Sequence, residues 1–177
     1  MNTASKNTID LTLVLGGARS GKSRYAEGLV TARPQPWIYV ATAEAWDDEM
    51  RDRISRHQND RGPGWMTVEE PLDLPGVIRR HATPGATLLV DCLTLWLSNL
   101  LSAGRDVEAA TAELLAALDA AQGTVVLVSN EVGLGIVPDN ALARAFRDHA
   151  GRLHQRVAAQ ARKVVFVVAG LPMVVKE

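Results

Sequence analysis

An α/β fold on a mostly parallel central sheet flanked by helices is what this 177-residue sequence predicts, and three observations predict it. Short apolar runs rich in β-branched residues recur: LTLVL (11–15), PWIYVAT (36–42), TLLVD (87–91), TVVLVS (124–129) and KVVFVVAG (163–170). None alternates polar with apolar residues, so each reads as a strand covered on both faces. Stretches with helical spacing separate them, at 21–32, 47–60, 93–102, 106–122 and 138–161. Strands alternating with helices are the pattern of parallel βαβ units.

The elements follow in order. The polar start MNTASKNTID is expected to leave residues 1–9 flexible. The first strand then runs into a glycine-rich turn and the helical stretch KSRYAEGLV. Residues 61–86 are rich in proline and glycine and read as a loop, one short strand at WMTVEE and a short helix. Asp106 is placed to cap VEAATAELLAAL, Gly123 to stop that helix, and Pro138 to sit in the first turn of the next. Neither an internal repeat nor a low-complexity linker divides the chain, so 1–177 is read as one domain.

Composition narrows the partners. Nineteen Lys and Arg against 20 Asp and Glu leave a formal net charge of -1, with no general pull toward nucleic acid or a membrane surface. Trp37, Trp46, Trp65 and Trp96 are scattered rather than paired at stacking distances, have no basic run around them and read as core or rim residues, which further disfavours nucleic acid. A single cysteine, Cys92, rules out an intrachain disulfide and reads as a small buried residue beside a strand end. No apolar run approaches the roughly 20 residues of a membrane span, and a cytoplasmic location is expected. His81, His149 and His154 are expected at the surface.

The strongest chemical signal is Gly16-Gly17-Ala18-Arg19-Ser20-Gly21-Lys22-Ser23, which satisfies G-x-x-x-x-G-K-[ST] between a buried strand and a helix. Glycines let backbone N–H groups curl around phosphates, Lys22 reaches the β and γ oxygens, and Ser23 offers a hydroxyl to Mg²⁺. Asp91, closing TLLVD, stands where a metal-side carboxylate belongs, and could equally cap the helix that follows. On a helix over 47–60, Arg53, His57 and Arg61 fall four apart on one face. That face could grip a triphosphate, although spacing alone favours an ordinary solvated helix. The loop in VSNEVGLGIVPDN (128–140) leaves a strand end and would turn Asn130 and Glu131 toward a ligand crevice, or simply connect two elements.

Five stretches together resemble one family, the bifunctional adenosylcobinamide kinase/adenosylcobinamide-phosphate guanylyltransferases of cobalamin synthesis. They are GGARSGKSRYAE, YVATAEAWDDEMRDRISRHQNDRGPGW, LLVDCLTLWLSNLL, VSNEVGLGIVPDNALARAFRDHAGRLHQRVA and VVAGLPMVVK, in family order from about residue 11 to 176. The resemblance implies a three-layer, RecA-like P-loop fold and two successive reactions. A nucleoside triphosphate, ATP or GTP, phosphorylates the hydroxyl of the aminopropanol arm of adenosylcobinamide. GTP then transfers GMP to that phosphate through a GMP-histidine intermediate, releasing pyrophosphate.

The histidine implied by the resemblance is His57; where some relatives carry two adjacent histidines, this chain has Arg56-His57. Nucleotide contacts carry over to the phosphate loop (16–23), to Ala41, Thr42 and Ala43, to Asp60 and Arg61 just after His57, and to Glu70 and Asp91, with Asp91 standing where some relatives have Glu. Lys22, Arg53 and Arg61 would neutralise charge developing on the phosphoryl oxygens, with Mg²⁺ held through Ser23 and Asp91. A homotrimer is also implied. Two other readings of the motif are a plain P-loop small-molecule kinase and a non-catalytic nucleotide switch.

Overall fold

Each apolar run becomes a strand because its residues are buried on both sides of one sheet. A computed structural model describes residues 9–43 and 62–177. Its strands are β1 (Leu11–Gly16), β2 (Trp37–Ala41), β3 (Trp65–Glu69), β4 (Thr87–Asp91), β5 (Thr124–Asn130), β6 (Lys163–Val168) and β7 (Leu171–Lys176). The described helices are α1 (Lys22–Thr31), α2 (Leu74–His81), α3 (Leu93–Ser102), α4 (Val107–Asp119) and α5 (Ala141–Gln160). The strands lie in the order β3-β2-β4-β5-β1-β6-β7. Every pairing is parallel except β6 with β7.

Side chains alternate across the sheet and feed two cores. On one face Leu11, Leu13, Val40, Leu88, Val90, Val125 and Leu127 meet the apolar sides of α2, α3, α4 and α5. On the other, Val14, Tyr39, Leu89, Val126, Val128 and Val165 meet Ala26 and Val30 of α1. The described residues thus form three layers, and all six parallel strands end at the same edge. Gly16, Ala41, Glu69, Asp91, Asn130 and Val168 close them there. No described helix is long and apolar enough to cross a membrane.

Local signals hold at several positions. Asp106 caps α4, its Oδ1 accepting the Glu108 and Ala109 N–H groups at 2.9 and 3.1 Å. Trp96 is fully buried, and its indole N–H donates to Leu72 O at 2.8 Å, tying α3 to the loop before α2.

Other expectations are corrected. Pro138 does not open α5: Asn140 is the cap, accepting the Ala143 N–H at 2.7 Å. Gly123 lies beyond the end of α4, whose cap is Ala120. Its missing side chain matters for close packing, since a Cβ there would stand 2.6 Å from both Ala86 O and Thr83 O. The run 163–170 ends as a strand at Val168, and Ala169 and Gly170 turn the chain into β7 with φ of 52° and 78°. Trp37 and Trp65 are paired, 5.7 Å apart, because the parallel register sets residue 37 of β2 beside residue 65 of β3. The helix expected over 47–60, with Trp46, lies outside the described residues.

Candidate active site

The phosphate loop is shaped by two glycines that no other residue could replace. A Cβ on Gly16 would stand 2.5 Å from Ser20 Oγ and 2.7 Å from Val167 O. Gly21 takes φ 91° and caps α1 without a side-chain hydrogen bond. Its absent Cβ lets Gly170 approach, with the Gly170 N–H donating to Ser20 O at 2.8 Å. The first N–H groups of α1 are left open toward the loop, where backbone donors and the positive end of the helix dipole favour an anion. Gly17, Ala18 and Arg19 form the outer rim, with Arg19 itself at φ 54°. Lys22 folds back so that its ammonium donates to Gly17 O at 3.1 Å. Ser20 Oγ is buried without a hydrogen-bond partner, a donor that a bound phosphate oxygen would satisfy. Ser23 follows in the first turn of α1.

Neighbouring strand ends complete the edge. Asp91 closes β4, separated from β1 only by β5. It does not cap α3, whose cap is Cys92 and is made by backbone alone. A carboxylate and a hydroxyl from this edge, leaving positions for water and phosphate oxygens, suit the octahedral oxygen set of Mg²⁺. Thr42 is fully buried: its hydroxyl donates to Cys92 O and accepts the Cys92 N–H, both at 2.8 Å. Thr42 therefore braces β2 against β4, and Ala41 and Ala43 flank it at the strand end. Asn99 of α3 donates to Thr42 O at 2.7 Å and to Pro71 O at 3.1 Å. Thr94 Oγ1 accepts the Asn130 N–H at 3.1 Å and lies 3.2 Å from Cys92 Sγ. Burial and then the Asp91 charge push the Cys92 thiol up, so it stays protonated and serves as packing.

A second buried constellation was not legible in the sequence. His154 of α5 is buried rather than at the surface, with Nε2 2.7 Å from Ser129 Oγ on β5. Burial holds its pKa below the usual 6.5 and the nearby Glu131 charge partly opposes this. Glu131 in turn donates its N–H to Gly16 O at 3.0 Å, joining the β5 loop to the phosphate loop. Asn130 closes β5 at this edge, and the Glu131 carboxylate accepts the Gly133 N–H of its own loop. His149 is half-buried 4.0 Å from Glu108, and His81 is half-buried at the end of α2.

Glu70 follows β3, its N–H donating to Ala41 O at 2.9 Å. Its carboxylate accepts the N–H groups of Leu72 and Asp73 at 3.0 and 2.8 Å, so it builds the turn into α2. Arg53, His57, Asp60 and Arg61 lie outside the described residues. A concavity of about 800 Å³ among Asp10, Arg33, Gln35, Gly85 and Thr124 lies at the opposite end of the sheet. It is not the reacting site on this geometry, because open α/β sheets bind ligands at the carboxyl ends of their strands.

A strand, a glycine-bounded phosphate loop carrying Lys22 and Ser23, and Asp91 at a nearby parallel strand end define a P-loop nucleotide-binding protein. An ATPase from the type III secretion system of pathogenic bacteria shares the fold, with a TM-score of 0.57 at 10% identity over 93% of this chain. The present chain spans 56% of that ATPase chain. Residues 12–175 match the family described as cobinamide kinase / cobinamide phosphate guanyltransferase (CobU), and the chain belongs to that family. The bifunctional adenosylcobalamin biosynthesis protein CobP of Pseudomonas aeruginosa is 49% identical over 166 residues, 93% of this chain and 96% of that protein. The corresponding CobU proteins of Salmonella typhimurium and Escherichia coli are 42% and 41% identical over 181 residues, each across 94% of this chain and 99% of the relative.

Proposed function

We propose that this chain carries out both transfers named for its family at one nucleotide site. In the first, the hydroxyl oxygen of the aminopropanol arm of adenosylcobinamide attacks the γ-phosphorus of ATP or GTP. The bond to the β–γ bridging oxygen breaks, the hydroxyl proton is released, and the nucleoside diphosphate leaves. In the second, a ring nitrogen of His57 attacks the α-phosphorus of GTP and pyrophosphate departs. A phosphate oxygen of adenosylcobinamide phosphate then attacks the same phosphorus, the histidine nitrogen leaves, and adenosylcobinamide-GDP is formed.

The observation that carries the reading is the phosphate loop itself. Buried Ser20 Oγ lacks a partner, Lys22 is folded over the loop, and the α1 N–H groups are open, all at the strand edge that Asp91 shares. Lys22, with Arg53 and Arg61, neutralises charge on the phosphoryl oxygens as each displacement proceeds. Ala41, Ala43, Asp60, Glu70 and Asp91 contribute the remaining nucleotide contacts, with Glu70 acting through the turn it builds. Ser23 and Asp91 would hold Mg²⁺, which would neutralise charge on the β- and γ-phosphates. The working form is a cytoplasmic homotrimer.

Purified chain given adenosylcobinamide and γ-labelled ATP or GTP should yield labelled corrinoid phosphate. Addition of α-labelled GTP should then move the label onto that corrinoid with one pyrophosphate released per transfer. Phosphorylation without GMP transfer would leave a plain kinase, and no phosphorylation at all would remove the reading.

A further inference from the structure

The loop joining β5 to α5 holds large apolar side chains in water. Leu134 is 83% exposed, Ile136 97% and Val137 61%, and Leu142 in the first turn of α5 is 71% exposed. Apolar side chains scattered singly on a surface need no explanation, but four exposed within nine consecutive residues mark a candidate contact surface. This set is also fixed at both ends. The Glu131 N–H donates to Gly16 O, and Glu131 Oε1 accepts the Gly133 N–H. At the far end the Arg144 guanidinium donates to Pro138 O at 3.0 Å and Asp139 O at 2.7 Å. The apolar residues therefore stand on a braced shelf whose first residue, Glu131, is hydrogen-bonded to Gly16 at the start of the phosphate loop.

We propose that this shelf seats the corrinoid ring of the cobinamide substrate, an assignment that rests on the functional reading above. A phosphate loop lined by glycine, lysine and serine has nothing to offer a macrocycle rimmed with methyl groups. Such a substrate must nevertheless bring one hydroxyl arm to the γ-phosphate. An apolar platform next to the loop meets both requirements: the ring covers Leu134, Ile136, Val137 and Leu142 while its arm points at the phosphates. Continuity of the shelf with Gly16 is what selects this occupant over a second copy of the chain.

The test uses the full chain with Leu134→Asp, Ile136→Asp and the conservative Ile136→Leu. Each aspartate should raise the KM for adenosylcobinamide in the kinase step about tenfold or more, the effect of losing one large buried side chain from a contact. The KM for nucleotide, the melting temperature and the mass in solution should be unchanged, and Ile136→Leu should behave as the unmodified chain. An unaltered cobinamide KM in both aspartate variants overturns the assignment. A change of mass in solution does so as well, because the shelf is then a contact between subunits. Failure of the unmodified chain to phosphorylate adenosylcobinamide contradicts the functional reading itself and is recognised before any variant is made.

Discussion

In the proposed function both transfers converge on Lys22, whose ammonium is folded over the phosphate loop against Gly17 O. With only Gly17 O as its described hydrogen-bond partner, it costs the fold little to remove. Lys22→Ala should lower kcat/KM for nucleotide by about 100-fold or more while the melting temperature holds, the magnitude expected for a lost charge-stabilising donor. A comparable loss of stability would mean that the lysine braces the loop. His154 makes a different prediction. Its pKa in the fold lies below the 6.5 of the unfolded chain, so on acidification the unfolded chain takes up the proton first. Stability contributed by the neutral imidazole is therefore fully present above about pH 6.5 and declines as the pH falls toward the depressed folded value. Thermal unfolding between pH 7.5 and 5 should show this slope, and His154→Gln, which can still reach Ser129, should flatten it. Residues 16–23 were readable because their chemistry is written in eight consecutive positions. His154 was not, since its burial depends on a partner 25 residues away on β5. The Thr42–Cys92 pairing spans 50 residues, and no local pattern encodes it.

Among elements, the β6–β7 hairpin does more than extend the sheet. Its turn residue Gly170 sits at φ 78° and donates to Ser20 O, so the hairpin braces the phosphate loop from the side opposite β5. Gly170→Ala should cost about 1 kcal/mol from the left-handed backbone alone. A denaturation midpoint that does not move would show that the turn relaxes freely. The strand β7 was missed because LPMVVK follows the previous apolar run without a conspicuous turn and contains Pro172. Proline is tolerated there because β7 is an edge strand, a position visible only once the sheet is assembled. The buried strands β1, β2, β4, β5 and β6 were legible from their unbroken apolar runs. Pro138 misplaced the start of α5 since a proline two residues before a cap looks like one inside a first turn.

For the molecule as a whole, the alternation of strands and helices announced a parallel sheet but not its order. That order, β3-β2-β4-β5-β1-β6-β7, decides that β5 lies between the strand of the phosphate loop and the strand of Asp91. It also brings the β5 loop and the β6–β7 turn to opposite flanks of residues 16–23. Assembly lies beyond periodicity, and light scattering at micromolar concentration should return a particle of three chains; a monomer under those conditions would contradict the proposed trimer. The central proposal, that one nucleotide site serves two chemistries and that the second of them runs through a covalent histidine, is tested most directly by incubating the chain with α-labelled GTP and Mg²⁺. The account predicts an acid-labile, alkali-stable label on the protein that adenosylcobinamide phosphate discharges and that His57→Ala abolishes. Label persisting in His57→Ala, or no labelling of the unmodified chain, would contradict it.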